Sequence, residues 1–275
     1  MGRTRLTVFI LALAVSAVAI VAAGCGSGGN STTGESGGGE KLTVGSDVPY
    51  PPFEEFGKTK TEFKGFDVEL MEAIGEKIGR EPEFTDTSFD TIFVDLAQGK
   101  FEAVASATTI TEEREETVDF SEPYYQAEQA ILVQEGGKID SVAKLKGATV
   151  GAQKGTTGAE FVEEKAEAGE LRTYPQGPDA INALKSGVVE AVVIDIPVAE
   201  NAVKNTTGIE VSSPIPTEEE YGIAVGKNEE GLLEEINEGL AEVKEDGTYT
   251  KIYENWFHRA PSKEALEVKG GSGTS

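Results

Sequence analysis

Gly65-Phe66-Asp67-Val68-Glu69-Leu70-Met71-Glu72-Ala73-Ile74-Gly75-Glu76-Lys77-Ile78 is the stretch that decides the fold. Phe66, Leu70, Ile74 and Ile78 recur every four residues, which lays one apolar stripe along one face of an α-helix. Strand signals flank it, at residues 41–45 before and 81–85 after. The same alternation continues along the chain. Helices are expected at 91–98, 111–117, 158–168, 178–186, 232–247 and 249–257, the fifth ending at Gly247. Strands are expected at 103–107, 131–134, 149–152, 188–194 and 221–226. The run 188–194 is almost continuously apolar, as in a strand buried on both faces. Alternation of this kind predicts an α/β fold with mainly parallel sheets.

Outside the helix, four blocks carry polar side chains in loops after strand signals. They are Ser46-Asp47-Val48-Pro49-Tyr50-Pro51-Pro52-Phe53, Thr108-Thr109-Ile110-Thr111-Glu112-Glu113-Arg114, Gly155-Thr156-Thr157-Gly158, and Asp195 at the end of the apolar run. Open α/β sheets bind ligands at the carboxyl ends of their strands. Each residue also has a plain local reading. Arg114 stands among four glutamates and could be one solvated charge. Asp195 could cap the helix that Pro197 begins, Asp47 could brace its proline-rich loop, and Phe89 could be ordinary core.

Taken with Val118-Asp119-Phe120-Ser121-Glu122-Pro123-Tyr124-Tyr125 and Tyr221-Gly222-Ile223-Ala224-Val225, these blocks resemble, in order, the family 3 extracellular solute-binding proteins of ABC importers. The similarity runs from about Lys41 to Phe257. It implies a two-lobed periplasmic-binding-protein-like fold with a two-strand hinge. Lobe one would be 41–129 plus 221–260 and lobe two 130–220, closing over a polar amino acid. By that resemblance Arg114 binds the α-carboxylate with Thr109, Thr157 and the backbone near Ala107, and Asp195 pairs with the α-ammonium. Tyr50 and Phe89 would wall the side chain, and Gln153 would occupy a position that varies with substrate. The physics agrees with those residue types. A guanidinium offers a carboxylate two parallel donors, and a buried ammonium needs a carboxylate. Lys154 lies beside the second loop, but its direction is not legible. With Arg114 committed and Asp47 free, a basic ligand is favoured over a neutral polar one and an acidic one ranks last. Enzymes resembling cyclohexadienyl dehydratases are the rival on this scaffold, and service to a separate receptor is a further alternative.

Residues 1–24 read as a signal peptide: Arg3 and Arg5, an apolar run from Leu6 to Val21, then Ala22-Ala23-Gly24. Cys25, the only cysteine, follows directly and resembles a lipobox cysteine, although Ala22 stands where leucine is commoner. The resemblance implies lipidation there, anchorage to the outer face of the cytoplasmic membrane and a permease partner. Residues 25–40 read as a Gly/Ser-rich tether and 261–275 as a flexible tail. Gly24-Cys25-Gly26-Ser27-Gly28-Gly29 matches a dinucleotide fingerprint by letters alone, because no strand precedes it.

Lys and Arg total 24 against 49 Asp and Glu, a net charge of −25. Such a surface repels nucleic acid phosphates. One histidine, His258, and one cysteine make no metal site, and neither a nucleophile elbow nor a phosphate-binding loop is present. No cofactor, metal or catalytic residue is expected, and the protein is expected to be a monomer.

Overall fold

In the computed structural model, which describes residues 39–267, the helix Phe66–Ile78 forms where its periodicity places it. Phe66, Leu70 and Ile74 are fully buried on one face, each contributing about 2 kcal/mol of hydrophobic stabilisation. The opposite face carries charge. Its first N–H groups lack partners within the helix and are satisfied from outside. Phe66 N–H donates to Pro52 O and Asp67 N–H to Phe53 O, both at 3.0 Å. The proline-rich loop is thereby fixed on the helix end. Gly65 permits this approach: it has φ 145°, and a Cβ there would lie 1.9 Å from the Phe53 carbonyl oxygen. Gly79 closes the other end in the left-handed conformation.

Two five-stranded sheets organise the chain. The first has the order Arg80–Asp86, Glu40–Ser46, Ala103–Val104, Ala224–Gly226, Val118–Phe120. The second has the order Ile209–Tyr221, Tyr125–Gln134, Ala191–Asp195, Thr149–Gln153, Glu170–Tyr174. Both are mixed. Pairings are parallel where a helix connects the strands, and antiparallel where Ala224–Gly226, Tyr125–Gln134 and Ile209–Tyr221 join. Parallel strands need such crossovers, whereas returning strands do not. The chain leaves the first sheet through Tyr125 and returns through Tyr221, which are register partners. Their rings stack at 5.5 Å inside an aromatic cluster with Phe53, Phe66, Tyr253 and Phe257. That cluster ties the crossing strands to the proline-rich loop and the main helix.

Several elements differ from expectation. The strand expected at 103–107 is two residues long, because the chain turns at Ala107, whose φ is 48°. The strand expected at 131–134 begins six residues earlier, at Tyr125. The helix expected over 158–168 ends at Lys165, followed by the strand Glu170–Tyr174. Part of the expected tail is ordered: Lys263–Leu266 is a short helix whose Ser262 side chain accepts from Ala265 N–H. The signal peptide, Cys25 and nearly all of the tether, and the last residues of the tail, lie outside the described residues. Among the described residues, no helix is long and apolar enough to cross a membrane.

Candidate functional site

All nine residues singled out for ligand contact line one pocket between the two sheets: Asp47, Tyr50, Phe89, Ala107, Thr109 and Arg114 from the first side, Gln153, Thr157 and Asp195 from the second. Each follows the carboxyl end of a strand or starts the next helix, the edge where open α/β sheets place ligands. The pocket is nearly filled by its own side chains, with about 10 Å³ of free volume. Such a space suits at most one water molecule.

Arg114 is 8% exposed, so it is not a solvated charge. The short helix Glu112–Glu115 presents it, and the Thr111 hydroxyl caps that helix by accepting from Arg114 N–H at 3.2 Å. Its guanidinium donates to Thr109 O at 2.7 Å and, across the cleft, to Gly155 O at 3.1 Å. It lies 4.8 Å from the Phe93 ring centre and 5.4 Å from that of Phe89. Phe89 thus serves two surfaces, packing under the arginine and lining the pocket. Ala107 lines the pocket too, but its N–H is committed to Asp67 Oδ2 at 2.7 Å.

Asp195 ends the strand Ala191–Asp195 and makes no side-chain cap for the following helix. Its carboxylate instead accepts from the Tyr50 hydroxyl, from across the cleft, and from Gln129 Nε2. Tyr50 is therefore a hydrogen-bond donor in the site as well as an aromatic wall. Asp47 does not brace its own loop, because Val48 N–H is held by Asp86 Oδ1. The Asp47 carboxylate faces the pocket and accepts from Gln153 Nε2. Lys154 turns away to pair with Asp90 at 2.9 Å, and Gln176 Nε2 donates to Val48 O at 3.0 Å. The two sides of the cleft thus touch at several points.

Other residues at the site were not anticipated. Glu54 lines the pocket and is fully buried. Ser106 Oγ donates to its Oε1 at 2.8 Å, while Oε2 has no partner. Gln129 and Glu219, on the two crossing strands, reach the site between Asp195, Thr109 and Thr157. Thr156 caps the helix Thr157–Lys165. The electrostatics are one-sided. Asp47, Glu54 and Asp195 line the pocket, with Asp67 behind them, against one guanidinium. Burial pushes the Asp47 carboxyl up to about 7. Burial, and then the charge of Glu219, does the same to Asp195. Glu54 is driven well above the carboxylate range, chiefly by burial and then by Asp67. Desolvation and like charges both disfavour the ionised forms, so a cation placed among these groups would be strongly stabilising. Among the described residues, no cluster of His, Cys, Asp and Glu is arranged to hold a metal.

Comparison with known proteins gives the chain its family. The ABC transporter arginine-binding protein 1 of Escherichia coli is 33% identical over 223 residues, covering 79% of this chain and 91% of that protein. The ABC transporter glutamine-binding protein GlnH of Bacillus subtilis is 32% identical over 270 residues, covering 93% and 99%. The crystal structure of the arginine-, lysine-, histidine-binding protein ArtJ from Geobacillus stearothermophilus superposes with a TM-score of 0.78 at 36% identity, covering 82% of this chain and 99% of that one. The family model of the bacterial extracellular solute-binding proteins, family 3, matches residues 42–259, and the chain belongs to that family.

Proposed function

We propose that this protein captures a basic L-amino acid outside the cell and passes it to the permease of an ABC importer. The observation that carries the reading is the excess of buried carboxylates in the pocket, where Asp47, Glu54 and Asp195 face the single guanidinium of Arg114. An amino acid zwitterion uses one arginine and one carboxylate, leaving Asp47 and Glu54 for a second positive charge. The unpartnered Glu54 oxygen supports this, since a buried polar atom left without a partner is costly. Relatives named for arginine support it too, while the glutamine-binding relative shows that the family includes a neutral ligand. The two lobes, 41–129 with 221–260 and 130–220, close over the ligand by bending at the crossing strands.

Asp47→Asn tests the ligand class. Loss of one partner of a buried ion pair costs about 2 kcal/mol or more, roughly thirtyfold in affinity. Affinity for arginine or lysine is expected to fall by that factor, while any affinity for glutamine changes by less than about threefold, all read by titration calorimetry. Equal losses for every ligand would return Asp47 to a bracing role. Tight glutamate binding by the unaltered protein would overturn the basic-ligand reading.

The protein works as a monomer, exported and held at the outer face of the cytoplasmic membrane by lipid on Cys25. The lipobox-like Ala22-Ala23-Gly24-Cys25 and the Gly/Ser tether support this, and one acyl chain alone would anchor it weakly. In a bacterial host, Cys25→Ser is expected to move the protein from the membrane fraction to the soluble exported fraction. Soluble recovery of the unaltered protein would dismiss the anchor.

A further inference from the structure

Thr109 and Thr157 stand on opposite sides of the cleft, yet both hydroxyls donate to one atom, Oε2 of Glu219, each at 2.8 Å. Glu219 is also held by Gln129 Nε2 at 3.2 Å. The backbone is built to deliver it there. In the crossing strand Ile209–Tyr221 the register shifts between Ile215, paired with Gln129, and Glu219, paired with Ala127. Three residues, 216–218, therefore face Glu128 alone, and Glu218 takes the left-handed conformation with φ 51°. Such a bulge re-aims the side chains that follow it.

A hydroxyl has one proton to donate. While both threonines serve Glu219, neither can serve a ligand carboxylate. Glu219 makes no hydrogen bond to Arg114, whose own donors hold Thr109 O and Gly155 O, and it acts on that guanidinium only through its charge. An amino acid carboxylate, with two oxygens, could take both hydroxyls and the guanidinium together.

We propose that Glu219 is an internal stand-in for the ligand's α-carboxylate, latching Thr109 to Thr157 across the cleft until a ligand displaces it, and that this displacement sets the affinity. The second half rests on the amino-acid-binding reading, whereas the latch itself does not. A receptor whose competent state is only partly populated binds more weakly by that fraction, so weakening the latch strengthens binding.

The test uses the unaltered protein, Glu219→Ala and Glu219→Gln. Small-angle scattering without ligand reads closure, and calorimetry with L-arginine and L-glutamine reads affinity. Without ligand, Glu219→Ala is expected to have a larger radius of gyration than the unaltered protein, the two converging when saturated. Glu219→Ala is expected to bind the better of the two probes about tenfold more tightly, the effect of one charged hydrogen bond of about 1.4 kcal/mol. Glu219→Gln keeps a neutral acceptor and falls between. Weaker binding by Glu219→Ala would make Glu219 a ligand contact, and unchanged compactness would remove the latch; either overturns the inference. If the unaltered protein binds no amino acid, the functional reading fails and scattering alone decides the latch.

Discussion

Arg114→Ala is expected to weaken amino acid binding by at least two orders of magnitude while the protein stays folded. The guanidinium is buried, faces two phenylalanine rings and holds backbone carbonyls on both sides of the cleft. Removing one partner of a buried ion pair costs about 3–5 kcal/mol, or about two to three and a half decades in affinity at about 1.4 kcal/mol each. The variant also loses the bond to Gly155 O, so the contact across the cleft and carboxylate binding are expected to suffer together. Arg114→Lys is expected to recover only a small part, since an ammonium lacks the planar fork. Calorimetry on protein shown folded by its melting curve reads the effect. A loss of tenfold or less would leave Arg114 as a strut between two loops.

Asp195→Asn is expected to cost a similar factor at pH 8 and much less at pH 5. Burial and the charge of Glu219 hold the Asp195 carboxyl near 7, and burial holds Asp47 there too. A cationic group entering among them would favour the ionised forms, so protons are expected to leave as such a ligand binds. Affinity is therefore expected to rise between pH 5 and pH 8. Stability without ligand runs the other way. An acid whose folded value lies above its unfolded value of about 4 contributes stability below pH 4, and that contribution is lost as pH rises through 7. The melting temperature of the unliganded protein is expected to fall from pH 5 to pH 8, and added ligand to offset the fall. Calorimetry across that range, in buffers of different ionisation enthalpy, measures affinity and proton release together. Affinity that does not vary with pH, or a loss under tenfold in Asp195→Asn at pH 8, would show that Asp195 does not meet the ammonium.

What could be read in advance follows physical lines. The helix Phe66–Ile78 was legible because one buried face imposes a 3.6-residue period. The nine pocket residues converge because loops after parallel strands open on one edge. Glu54 and Glu219 were not legible. Glu54 stands in Phe53-Glu54-Glu55-Phe56 and Glu219 among Glu218, Glu219 and Glu220, and acidic pairs of this sort are usually solvated. Only the loop pinned to the helix end buries the first, and only the register shift turns the second inward. The strand Ile209–Tyr221 was hidden for the same reason, since Pro214, Pro216 and three glutamates erase any alternation. The strand Glu170–Tyr174 sits at a sheet edge, largely exposed, with no apolar pattern to announce it.

The pairing of Tyr125 with Tyr221 has a consequence for how the molecule can be taken apart. Every strand of the second sheet lies between these two residues, and every strand of the first lies outside them. Topologically the second sheet is an insertion whose two ends are neighbours, the arrangement in which domain insertion and circular permutation are tolerated. The second half of the binding cleft is thus a cassette. Its Gln153, Thr157 and Asp195 could be exchanged as one block against another recognition surface, while Asp47, Tyr50 and Arg114 remain on the frame that receives it.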